Sequence, residues 1–321
     1  MENEKLGPGV NPRVRRAIMQ LRGMLIAPTG AGQIFYVDAT SGSDGNDGEN
    51  PDTAKATIQA AVDICGDGRG DIIIVGPGKY QENVIIEDHD AVHIIALFPG
   101  WDTRIRPSDG TTKYAYTNSG GTTITADGIG FIVSSRSVTI DGFCLDGGGG
   151  YVGAYVGDGY GVTGAGGTSY NSASARIRNC LFRAGNEGTS TPGLVLKGCS
   201  GNVIVENNVF RTNDIGVLVS PGSGRTCQGP MIRNNIFMDC STYGVYTDNV
   251  NTIVNVLIEN NTFMDGASTL TYAILTQGTG IHTIANNRFG CTNTISCQTT
   301  DWTAGNYKAN GTGTPTYISE A

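Results

Sequence analysis

The chain has 321 residues, enough for one large domain, and its net charge of −8 argues against nucleic acid as a partner. No apolar run approaches the ~18 residues of a membrane span. Glycine is abundant, at 48 residues, and only 16% of residues are charged, which suits short strands joined by many tight turns.

Residues 1–33 differ from the rest. Asn11-Pro12 reads as an N-cap followed by proline at the first helical position. Val14, Ala17, Ile18, Leu21, Met24 and Leu25 then fall at helical spacing, with Arg13, Arg15, Arg16 and Arg22 among them. The segment holds five basic and two acidic residues, against an acidic remainder. It either packs back on the chain as an extended cap or docks on another subunit. The second reading makes Arg13, Arg15, Arg16, Ile18, Leu21, Arg22 and Leu25 a docking arm. The start, Met1 to Lys5, is charged and no apolar core follows before Gly7-Pro8-Gly9, so no secretory signal is expected.

The loop Asp44-Gly45-Asn46-Asp47-Gly48 makes Asp44 and Asp47 candidate calcium ligands, and calcium is the one cofactor the sequence raises. The loop lacks the EF-hand spacing, and Lys55 stands where that loop places its glutamate. A plain turn is the simpler reading.

The second half repeats a six-residue phrase, I-x-N-x-x-F. It starts at Ile177, Val205, Ile232, Ile258 and Ile284, 26 to 28 residues apart. A fixed period of that size marks a solenoid. Apolar and polar residues alternate within the phrase, so its segments are strands. Asparagine tolerates the left-handed conformation of a sharp bend. Each repeat is therefore one coil of a parallel β-helix. Asn179, Asn207, Asn234, Asn260 and Asn286 are expected to stack as a corner ladder with little exposure. Leu145, Phe182, Phe210, Phe237, Phe263 and Phe289 should stack inward. Asp141, Arg178, Glu206, Arg233 and Glu259 form an outward column of alternating charge, which attracts across the roughly 4.8 Å between strands. At about 26 residues per coil, residues 70–308 make roughly nine coils.

Residues 146–174 read as an insertion rich in glycine and tyrosine. That composition serves contact surfaces as well as flexible loops, so Tyr151, Tyr155, Tyr160 and Tyr170 are candidates to touch a glycan or a neighbouring subunit. None of the eight cysteines forms a C-x-x-C pair, which argues against a zinc site. Most read as reduced core residues, and a bridge between Cys291 and Cys297 stays open. The tail from Thr299, with Trp302 and Tyr307, must cap the last strand edges or pair with another chain.

The phrase and its period resemble the right-handed parallel β-helices of the pectin lyase-like superfamily. So does the order Tyr36-Val37-Asp38, Gly42 to Gly48, Ala56 to Asp63, then Gly70 to Tyr80 with its Pro-Gly-x-Tyr turn. The resemblance implies an all-β solenoid over 34–308 with a short capping helix near residues 54–64; the N-terminal arm over 1–33 and a tail over 309–321 lie outside it. It does not settle function, since the superfamily holds lyases, hydrolases, epimerases, phage tailspikes and structural domains.

The hydrolases of that superfamily use aspartates with Gly-His-Gly and Arg-x-Lys. Here only His89, His93 and His282 exist, none in a Gly-His-Gly, and no Arg-x-Lys occurs. The lyases use acidic residues that hold calcium and a basic residue that takes the proton. Asp239 and Asp265 should stack on adjacent coils, as should Arg183 and Arg211. Those four are the only catalytic candidates, and a solvated corner is the bland alternative. The expectation is a virion structural or adhesion protein of a bacteriophage, tailspike-like or capsid-decorating. It would be made in the host cytoplasm, joined to other virion proteins through the arm, homo-oligomeric (a trimer fits), and able to meet host surface polysaccharide. A polysaccharide lyase or glycoside hydrolase of acidic glycans is the alternative. An extracellular, cell-surface structural β-helix is the second.

Overall fold

The computed structural model describes residues 32–107, 114–117, 123–126, 128–146, 152–157, 174–183, 191–198, 201–220, 227–248, 253–265, 270–278, 280–309 and 315–317. Three parallel ladders run side by side along one axis. The first starts at Ile34–Val37 and Ile72–Val75 and continues through Arg176–Arg178, Ile204–Glu206, Met231–Arg233, Leu257–Glu259 and Thr283–Ala285 to Trp302–Ala304. The second runs from Gly78–Gln81 through Leu181–Arg183, Val209–Arg211, Ile236–Met238, Thr262–Met264 and Arg288–Gly290 to Tyr307–Ala309. Two long strands, His93–Arg106 and Thr139–Asp146, belong to both and join them into one sheet. The third ladder is an eight-stranded sheet from Val84–Ile86 to Ile295–Ser296. The stack is close to the roughly nine coils expected from the period.

Alternation within each short strand sends one residue in and its neighbours out. Ile177, Val205, Ile232, Ile258 and Ile284 are all buried, and so are the phenylalanines. The rings of Phe182, Phe210, Phe237, Phe263 and Phe289 form a continuous stack with centroids 4.6, 4.9, 4.7 and 5.1 Å apart. Glycines of the third ladder make room for them. A Cβ on Gly216 would lie 2.6 Å from Phe237, and one on Gly244 the same distance from Phe263.

The asparagine ladder is displaced by one residue from the expected column. Asn179, Asn207, Asn234, Asn260 and Asn286 are exposed and take φ values of 55 to 58°, so they turn the corner but do not stack inside. The buried ladder is the next column, Asn208, Asn235, Asn261, Asn287 and Asn306. Each side chain accepts from the backbone N–H one coil earlier and donates back to a carbonyl there. Cys180 N donates to Asn208 Oδ1 at 2.9 Å, and Asn208 Nδ2 donates to Ile177 O at 3.0 Å. The same pattern repeats up to Asn306 Nδ2 and Ile284 O. A corner that leaves backbone groups without strand partners is thereby satisfied from inside.

The charged column holds. Arg178 pairs with Asp141 at 3.0 Å, and Arg233 with Glu206 at 2.8 Å. Arg176 adds a longer contact of 3.6 Å to Glu206.

The helix over the N-terminal end is shorter than expected, Ile58–Val62, and buries Ile58, Ala61 and Val62 on the first coil. Thr57 accepts from Ala60 N, and the Glu82 carboxylate accepts from Ile58 N and Gln59 N. At the far end, Pro315–Tyr317 adds antiparallel to Tyr307–Ala309 and ends that ladder's parallel run. The expected insertion begins later than residue 146. Val152–Gly157 is an ordinary third-ladder strand between Ile129–Val133 and Pro192–Lys197. No helix among the described residues is long and apolar enough to cross a membrane.

Candidate ligand-binding face

The long strand His93–Arg106 carries more residues than its partner Thr139–Asp146, and its register slips between Ile95 and Gly100 and again between Gly100 and Arg104. The surplus bulges outward after Pro99-Gly100, where Gly100 has φ +90°. Bulges re-aim side chains and recur beside functional sites. Here the bulge places Trp101 on the outer face of the second ladder, 47% exposed.

Trp101 is held by cations. The guanidinium carbon of Arg104 lies 5.3 Å from the ring centroid and that of Arg183 lies 5.1 Å from it. Arg104 Nη1 also pairs with Asp146 Oδ2 at 3.4 Å. Arg183 sits in register with Asp146 on one side and with Arg211 on the other. Arg106, Arg183 and Arg211 are exposed. Two guanidinium groups thus flank a half-exposed indole, one of them paired with a carboxylate, in a chain that is acidic as a whole. Cys144 lies in the same ladder, but burial above all, with Asp146 adding, pushes its thiol up to about 11, so it is no nucleophile at neutral pH.

Arg183 and Arg211 do stack on adjacent coils. Asp239 and Asp265 follow the paired residues Met238 and Met264 on the next two coils. Asp239 turns the corner at φ +52° and donates its N–H to Met264 O, while Asp265 Oδ2 accepts from Leu270 N at 3.1 Å. Among the described residues, no ion pair joins Arg183 or Arg211 to either aspartate.

Asp44 and Asp47, the calcium candidates, are both engaged in hydrogen bonds of their own loop. The Asp44 carboxylate accepts from Ala56 N, Thr57 N and Thr57 Oγ1, and Lys55 Nζ donates to its backbone oxygen at 3.0 Å. Asp47 accepts from Glu49 N and Thr53 Oγ1, bonds that hold its carboxyl below the usual range. Both are turn-locking acids, with an ammonium group in the loop. No group of three or more His, Cys, Asp or Glu side chains gathers at metal-binding distance among the described residues.

Tyr155 is corrected. It is buried on the third ladder and presents no surface to a glycan. Tyr151, Tyr160 and Tyr170 lie outside the described residues, as do Arg13, Arg15, Arg16, Ile18, Leu21, Arg22 and Leu25. Trp101 and Arg104 were missed by sequence reasoning. Their signal was Pro99-Gly100 inside a strand too long for its coil.

The family profile described as "Right handed beta helix region" matches residues 126–299. No curated protein sequence matches the chain. Among solved structures, the Escherichia coli ybhc protein aligns with a TM-score of 0.51 at 11% identity, over 88% of this chain and 86% of that one. A pectin methylesterase in complex with hexasaccharide VII gives 0.49 at 11% identity, over 91% and 86%. ORF18 of Geobacillus virus E2 gives 0.41 at 12% identity, over 79% and 57%. At such identities the likeness extends to the fold alone. The chain belongs to the right-handed β-helix family.

Proposed function

We propose that this chain is an adhesion β-helix of a bacteriophage virion, which holds anionic glycans on the outer face of its second ladder without cleaving them. The observation that carries the reading is Trp101 flanked by Arg104 and Arg183. An exposed indole stacks on the apolar face of a sugar ring, and guanidinium groups pair with carboxylate or sulfate substituents. Arg106 and Arg211 extend the cationic path for further sugar units. The virion setting is supported by the cysteines: the seven described are free, and six are buried in the core. A chain folded with reduced thiols suits synthesis in a cytoplasm.

The test is titration of the protein with polygalacturonate and sulfated oligosaccharides, followed calorimetrically and by assay for unsaturated product. Binding that is salt-sensitive, lost in Trp101→Ala and free of product formation is the expected result. Steady product formation that disappears in Asp239→Asn or Asp265→Asn would establish the lyase instead.

A further inference from the structure

The outer face of the second ladder changes chemistry along the solenoid axis. Two outward columns run up it, in register from coil to coil. One holds Arg183, Arg211, Met238, Met264 and Gly290. The other holds Leu181, Val209, Ile236, Thr262, Arg288 and Tyr307. Beyond the Trp101 end the face turns apolar: Ile236 and Met264 are 37% and 39% exposed, and Met238 is half-buried. On the last coils a second cation meets a ring. The guanidinium carbon of Arg288 lies 5.5 Å from the ring centroid of Tyr307. Arg288 is exposed, and no carboxylate pairs with it among the described residues. Gly290 in the neighbouring column has no side chain to crowd that end.

We infer, resting on the glycan reading of the Trp101 face, that Arg288 with Tyr307 forms the second end of the same site. The face would hold one acidic polysaccharide strand at both ends, with acetylated sugars between them. Arg183 and Arg288 lie four strand spacings apart, about 19 Å along the axis. An extended chain of pyranose rings advances by close to one strand spacing per ring, so uronates four positions apart reach both arginines. Each arginine lacks a carboxylate from its own chain and is free to take one from the ligand. The middle of the face offers Ile236, Met238 and Met264, with the Thr262 hydroxyl as its one polar side chain. A charged or hydroxyl group set there gives up water for few partners. The methyl of an acetyl group gains apolar burial instead. Charge at the two ends and methyl groups between them thus define the ligand class.

Hyaluronate oligosaccharides carry both features, with N-acetyl sugars alternating with uronates. The test is calorimetric titration of the full chain with the tetrasaccharide and the hexasaccharide. The hexasaccharide reaches both ends and should bind roughly tenfold or more tighter than the tetrasaccharide, which reaches one. Arg288→Ala should abolish that gain while the tetrasaccharide keeps its Trp101-dependent binding. Met264→Gln should weaken the hyaluronate hexasaccharide and spare a galacturonate hexasaccharide, which has no acetyl groups. Equal affinity for the two lengths, a gain that survives Arg288→Ala, or a Met264→Gln variant that treats both hexasaccharides alike would each overturn the inference and leave the Trp101 face standing. Tetrasaccharide binding that is indifferent to Trp101→Ala, or no binding at all, would remove that face and the second end together.

Discussion

Asn235 and Asn261 are joined twice through one oxygen. Asn261 Oδ1 accepts from Asn235 N at 2.9 Å and from Asn235 Nδ2 at 3.1 Å. Asn235 in turn offers its own Oδ1 to Asn208 N and Nδ2, and its Nδ2 to Val205 O. Removing one side chain therefore breaks contacts on two coils and strands a buried backbone N–H. Asn235→Ala should cost about 2–4 kcal/mol, since buried donors left without an acceptor cost about 1–3 kcal/mol each. Asn234→Gly, one residue away, should cost less than 1 kcal/mol, because glycine adopts its φ of 55° freely. Urea melts of the two variants check the assignment; the reverse order would return the ladder to the Asn234 column.

The phenylalanine stack gives a second stability prediction. Phe237 has rings on both sides, so Phe237→Ala should cost about 3–5 kcal/mol. For Glu206→Lys, an exposed ion pair would suggest about 1 kcal/mol or below. Glu206 is nearly buried, however, and meets both Arg233 and Arg176. Loss of both contacts and the repulsion that replaces them should cost about 2 kcal/mol. A thermal melt in which the reversal is worse than Phe237→Ala would contradict the inward and outward columns.

The solenoid was legible because its period, its alternation and its Phe column are repeated five times. The one-residue error in the ladder arose because most coils read Asn-Asn, and a period cannot tell which of two identical columns faces in. Cys180 in place of the second Asn was the available clue, being small and apolar where the other coils hold Asn208, Asn235 and Asn261. Trp101 was hidden for the opposite reason: a bulge breaks the period, so nothing repeated marks it. Tyr155 misled because glycines around it look like loop, whereas Gly130, Gly153 and Gly193 line one inward column of the third ladder.

One buried histidine, His282, and one half-buried, His93, predict how the fold responds to acid. Burial lowers the pKa of His282 below its ordinary 6.5, partly offset by Asp301, and burial with Arg178 and Arg176 lowers that of His93. The folded state then binds fewer protons than the unfolded one. The stabilising contribution is complete above about pH 6.5 and is lost as pH falls through the folded-state values. The melting temperature should be level from pH 7 to 8 and decline below about 6.5, with a shallower decline in His282→Gln. An identical slope in that variant would remove His282 from the account.

The last prediction separates the arginines by position. Arg183 touches Trp101 and is exposed, so Arg183→Ala should weaken binding of an anionic oligosaccharide about tenfold, or about 1.4 kcal/mol. Arg211, one coil further from the indole, should cost only a fraction of that when changed to alanine. Arg178 is the control: it is paired with Asp141 on the first ladder, away from Trp101, and Arg178→Ala should leave affinity unchanged while slightly lowering stability. Raising the salt concentration should weaken the parent protein more than Arg183→Ala, because the removed cation no longer contributes a screened attraction. If Arg178→Ala and Arg183→Ala weaken binding equally, the attraction belongs to the charge of the whole surface. The Trp101 face would then not be the site.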